Sequence, residues 1–114
     1  MNTLHKDPAK VARAIMPAKY TGGVYEGIGH YQWYKRGGHA GSNQIARAIE
    51  KATALGFVRG KFSHTGTPDG SHMGHKDVYS HPDGWELTSN TSYGCVAYDN
   101  SFSMSLKQIK KDAS

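Results

Sequence analysis

Four histidines, His64, His72, His75 and His81, fall within eighteen residues and are interleaved with Asp69, Asp77 and Asp83. Imidazole and carboxylate groups ligate zinc and related metals. Imidazole is also the side chain best suited to give and take a proton near neutral pH. No spacing here matches a metal signature such as His-Glu-x-x-His. His72 and His75 are three residues apart, so on one strand they face opposite sides. No metal or cofactor is therefore expected, and hairpin histidines at the surface are the commoner arrangement.

A second group is the run Tyr31-Gln-Trp-Tyr-Lys-Arg36. Aromatic rings beside cations can stack bases while the cations hold phosphates. The same rings can serve a core, and this chain needs them there. Leu, Ile, Val and Phe number 17 of 114 residues, whereas seven Tyr, two Trp and four Met supply the remaining bulk. Gly37-Gly-His-Ala-Gly41 resembles a loose anion-binding turn before a helix but lacks the Lys-Ser/Thr of a phosphate loop. Cys95 is the only cysteine, so no internal disulfide forms, and a packed thiol is expected.

The elements that must position these residues read as α+β. Asp7-Pro8 opens a helix with an N-cap acceptor and proline at the first helical position, and Pro17 ends it. Between Lys19 and Gly41 lies a Gly- and aromatic-rich segment. Val24-Tyr25 and Tyr31–Tyr34 suit short strands there, with turns at Gly22-Gly23 and Gly37-Gly38. From Ser42, Ile45, Ala48, Ile49, Ala52 and Leu55 form one apolar helical stripe, closed by Gly56. Three strands follow, over 57–64, 76–80 and from Trp85, with Val96 and Tyr98 as possible extensions. The last two are joined by the turn His81-Pro-Asp-Gly84. Ser103 then caps a closing helix with Leu106 and Ile109 inside and Lys107, Lys110 and Lys111 outside. One domain spans 1–114, with 1–41 as an extension to an α-β-β-β-α unit.

Charge is uneven along this order. Residues 1–61 carry ten Lys or Arg against three acids, and residues 62–106 carry one Lys against five; the whole chain is +5. A basic half favours an anionic partner, RNA first, or an acidic protein face. No apolar run is long enough to span a bilayer and no signal-peptide pattern opens the chain, so no membrane contact and a cytoplasmic location are expected.

With these residues in this order, the chain from about 42 to 113 resembles the HicA toxin family, small RNA-cleaving partners of toxin–antitoxin pairs. The pieces are Leu55-Gly56-Phe57, then Gly70-Ser71-His72 or Gly74-His75, then Tyr79-Ser-His-Pro-Asp-Gly84, then the basic stretch from Ser105 to Asp112. The resemblance implies a double-stranded-RNA-binding-domain-like fold, with helices on one face of a three-stranded antiparallel sheet. It further implies RNA as ligand and one hairpin histidine, His72 or His75, as catalytic group of a metal-independent endoribonuclease. Arg59, Lys61 or Lys76 could then hold the phosphate; apart from the resemblance, Trp33, Tyr34, Lys35, Arg36, Lys107, Lys110 and Lys111 are further candidate nucleic-acid contacts. The alternative from another class is a non-enzymatic phage or mobile-element inhibitor. Such a protein would block a host defence nucleoprotein, in the manner of an anti-CRISPR, through the patch Trp33–Arg36.

Overall fold

The computed structural model describes residues 4–64, 73–94 and 96–109. Its order is α1 (Pro8–Ile15), β1 (Thr21–Tyr25), β2 (Ile28–Arg36), α2 (Ala40–Ala54), β3 (Val58–His64), β4 (Met73–His81), β5 (Trp85–Tyr93), a 3₁₀ turn (Ala97–Asp99) and β6 (Ser101–Gln108). The strands form one antiparallel sheet in the order β1-β2-β6-β5-β4-β3.

This corrects the expected helix–three-strand–helix, double-stranded-RNA-binding-domain-like layout. Residues 101–108 are not a helix but a central strand, bonded to β2 on one side and β5 on the other. The physical reason is the period. Phe102, Met104 and Leu106 alternate with Ser101, Ser103 and Ser105, and alternation sends the three apolar side chains to one face only if the segment is extended. All three are buried. Because β6 lies beside β2, the segment before residue 42 is no appendage: Tyr31 and Trp33 are core residues. Lys110 and Lys111, expected on the closing helix, lie outside the described residues, as do His72 and Cys95.

Local chemistry explains the other elements. The Asp7 side chain accepts from the Ala9 N–H at 3.0 Å and Pro8 starts α1, as its sequence requires. α2 starts two residues before Ser42, whose hydroxyl donates back to the His39 carbonyl instead of capping. It ends in a Schellman motif: the Gly56 N–H donates to Thr53 O and the Phe57 N–H to Ala52 O, with Gly56 at φ 101°. The β1–β2 hairpin turns at Glu26-Gly27, both with positive φ, the two-residue turn that matches strand twist.

Both helices pack on one face. Pro8 and Trp85 close on Gly29, where a Cβ would sit 2.9 Å and 3.0 Å from their atoms. Gly41 of α2 lies on the Phe102 ring, which an added Cβ would meet at 2.2 Å. Tyr31, Trp33, Trp85, Leu87, Phe102, Met104 and Leu106 fill the space beneath, together with Val11, Ile15, Ile45, Ala48, Ala52 and Phe57. Among the described residues no helix is long and apolar enough to cross a membrane.

Candidate nucleic-acid interface

The other sheet face carries no helix. Strand register places Tyr34, Ser103, Asn90, Lys76 and Ser63 in one row across β2, β6, β5, β4 and β3. A neighbouring row runs Gln32, Ser105, Thr88, Val78 and Lys61, and a third contains His30, Lys107, Glu86 and Ser80. Five strands at the usual spacing make each row about 19 Å long. Short hydroxyl and amide side chains dominate. Tyr34 stands out of this floor with 64% of its surface exposed.

The floor continues around one edge. β1 pairs with β2 only as far as Gln32, so residues 33–36 have no strand neighbour on that side. There a shallow depression lined by Lys19, Lys35 and Gln44 shares Tyr34 and the largely buried Trp33 with one on the open face, lined also by Thr21, Gln32, Asn90, Ser103 and Ser105. It shares Ala18 and Gln44 with a third, between the end of α1 and α2, lined by Arg47 and Lys51. Their volumes are about 340, 230 and 190 Å³ from open face to helix. The path so formed carries Lys19, Lys35, Arg47 and Lys51, and no acidic residue lines it. Among the described residues these four cations have no carboxylate partner.

The residues singled out from sequence divide accordingly. Tyr34, Lys61, Lys76 and Lys107 lie on the open face, with the exposed Arg36 at its β2 end; Lys35, opposite the buried Phe102, is on the other side of β2. Trp33 does not join them: it is 5% exposed and belongs to the core. Arg59 points to the helix side. Its Nε and Nη2 donate to one oxygen of the buried Asp77 at 3.0 and 2.8 Å, and its guanidinium lies 4.7 Å from the centre of the Phe62 ring.

The histidines separate too. His81 is buried and structural. Its Nδ1 accepts from the Asp83 N–H, so Nε2 carries the proton and donates to the Leu55 carbonyl, each at 3.0 Å. Asp83 in turn accepts from the Leu4 N–H, so one turn clamps the start of the chain and the end of α2. His75 sits half-buried on the helix side of β4, directly opposite His64 of β3. Among the described residues no three His, Cys, Asp or Glu converge as metal ligands.

Sequence reasoning missed Lys19, Arg47, Lys51, Gln32, Asn90 and the β6 serines as site residues. The serines were legible in the alternation of Ser101–Gln108. The cations required knowing that α2 and residues 18–19 meet at the β2 edge. Comparison with protein-family models, curated proteins and solved structures finds no match.

Proposed function

We propose that this is an RNA-binding protein that holds a single strand on the open sheet face and around the β2 edge. The observation that supports this reading is the path from Asn90 and Ser103, past the exposed Tyr34, to four cations that have no carboxylate partner and no lining acid among the described residues. Phosphates need cations that are not already neutralised. Bases need an exposed ring to stack on, and single strands are recognised through stacking and contacts to base edges. Asn90, Gln32 and the serines supply donors and acceptors for those edges. The reading rests on this surface and not on the family resemblance.

The test is fluorescence anisotropy with a labelled single-stranded RNA in EDTA, at two salt concentrations. Binding should weaken steeply with salt. It should fall about tenfold or more in Tyr34→Ala, the usual size for loss of one stacking ring, and again in Lys35→Ala/Arg47→Ala. The reaction mixtures, run on a denaturing gel, also decide cleavage: shortened RNA that is lost in His75→Ala would add an endoribonuclease activity. Absence of binding by the folded protein would overturn the reading and favour a protein partner of the inhibitor kind, sought by pull-down.

A further inference from the structure

At the far end of the row from Tyr34, β3 is the last strand, and all seven of its residues are exposed. Ser63 ends the row on the open face. Its neighbours Phe62 and His64 point to the other side of the same edge, because side chains alternate along a strand. There the helices do not reach, and a cluster forms around one ring. Phe62 is 44% exposed. The His64 ring stands edge-on to it at 5.1 Å, and the His75 ring lies tilted at 5.6 Å. The Arg59 guanidinium is 4.7 Å from its centre, and Tyr93 extends the aromatic surface at 6.4 Å from His75. Arg59 uses Nε and Nη2 on Asp77, and among the described residues its Nη1 has no partner.

We propose that this cluster is a site for the phosphorylated terminal nucleotide of a nucleic-acid strand; the inference rests on the RNA-binding reading above. The chemistry matches in kind. An internal phosphodiester presents two free oxygens, whereas a terminal phosphomonoester presents three and carries more negative charge. Near Phe62 the two imidazoles have N–H groups that can donate, and Arg59, whose charge is shared with Asp77, keeps Nη1 on the other side of the ring. Tyr93, beside His75, offers a ring against which the terminal base can pack. Asp77 is buried and its Oδ1 is held by Arg59. Position supports the assignment. A strand laid along the row Tyr34–Ser103–Asn90–Lys76–Ser63 reaches the outer edge of the sheet and has only to turn over β3 to meet the cluster.

The experiment compares one labelled RNA octamer with a 5′-phosphate, a 3′-phosphate or hydroxyls at both ends, made with 2′-O-methyl sugars so that it stays intact. One phosphorylated form should bind about tenfold more tightly than the hydroxyl form. That gain should vanish in His64→Ala and in His75→Ala, while both variants bind the hydroxyl form as the unaltered protein does. His75→Gln, which keeps a donor, should retain part of the gain and guards against a folding defect. Equal binding of all three octamers would overturn the proposal and leave the open-face reading intact. Loss of affinity for every octamer in the histidine variants would also overturn it, since the cluster would then not be selective for the phosphate. If no octamer binds, the RNA reading fails, and titration with adenosine 5′- and 3′-monophosphates decides the cluster separately. Shifts at Phe62 and His75 would keep it as a nucleotide site, and their absence would end it.

Discussion

The two faces of the sheet are built from the same strands and differ in almost every physical respect. On the covered face β6 contributes Phe102, Met104 and Leu106, all at most 2% exposed, and on the open face it contributes three serines. β5 repeats the contrast, with Trp85 and Leu87 inside and Glu86, Thr88 and Asn90 outside. A solvated face is often dressed with long charged side chains, which keep other molecules at a distance. Here the centre of the open face carries short hydroxyls and amides, and the cations stand around its margin. Such a floor lets a flat ligand approach closely while the charges meet its backbone. The difference teaches that one set of strands packs an apolar core on one face and leaves small polar groups accessible on the other.

Substitutions can break that division or sharpen it. The largest effect belongs to Phe102→Ala, which empties the space under Gly41 and should cost about 3–5 kcal/mol in urea unfolding. Ser103→Ala, one residue along on the other face, should change stability by no more than about 0.5 kcal/mol. Equal costs for the two would erase the contrast. His81→Ala removes both hydrogen bonds of a buried imidazole and its contact with Phe57 at 5.1 Å. A loss of about 2–4 kcal/mol is expected from the same unfolding measurement, with RNA binding by the folded fraction unchanged. Tyr34→Ala should do the reverse. It should lower RNA affinity by about 1–3 kcal/mol and leave the urea midpoint in place.

The smallest effect is on the alkaline limb of stability. Burial raises Tyr31 above its ordinary 10.0, with Tyr20 and Asp7 adding to it, and burial with the Asp77 charge raises Tyr79. A phenol that ionises later when folded contributes stability that is complete below pH 10 and is lost as pH climbs through the folded value. Urea midpoints at pH 8 and at pH 11 should therefore differ less in the Tyr31→Phe/Tyr79→Phe double variant than in the unaltered protein. Tyr31→Phe should cost little at neutral pH, because its buried hydroxyl has no hydrogen-bond partner among the described residues.

Some local signals in the sequence fix a boundary alone, but Gly22-Gly23, expected as a turn, lies inside β1, and Ser42, expected as the N-cap, lies inside α2. Asp7-Pro8, Gly56 and His81-Pro-Asp-Gly84 each fix a boundary through their own backbone chemistry, and α1, the end of α2 and the β4–β5 turn stand where those residues put them. At residues 101–109 two periods compete. Leu106 and Ile109 are three apart and suit a helix; Phe102, Met104 and Leu106 are two apart and suit a strand, and the vacancy between β2 and β5 decides between them. The same placement divides the run Tyr31–Arg36: strand alternation sends Trp33 into the core and Tyr34 out, so only half of an aromatic-basic motif remains available to a ligand. Four of the expected contacts, Tyr34, Lys61, Lys76 and Lys107, reach one face because strand parity aligns them. Lys19, Arg47 and Lys51 join through tertiary packing that no local pattern encodes.

The most direct test of the central claim is an amide NMR titration of the labelled protein with a 2′-O-methyl oligouridine carrying hydroxyl ends. The expected shifting resonances are those of Lys19, Gln32, Tyr34, Lys35, Arg47, Lys51, Asn90 and Ser103, with the buried Val11 and Ala12 of α1 and Leu87 of β5 still. Shifts confined to α1 and the covered face, or none at ligand excess, would contradict the claim.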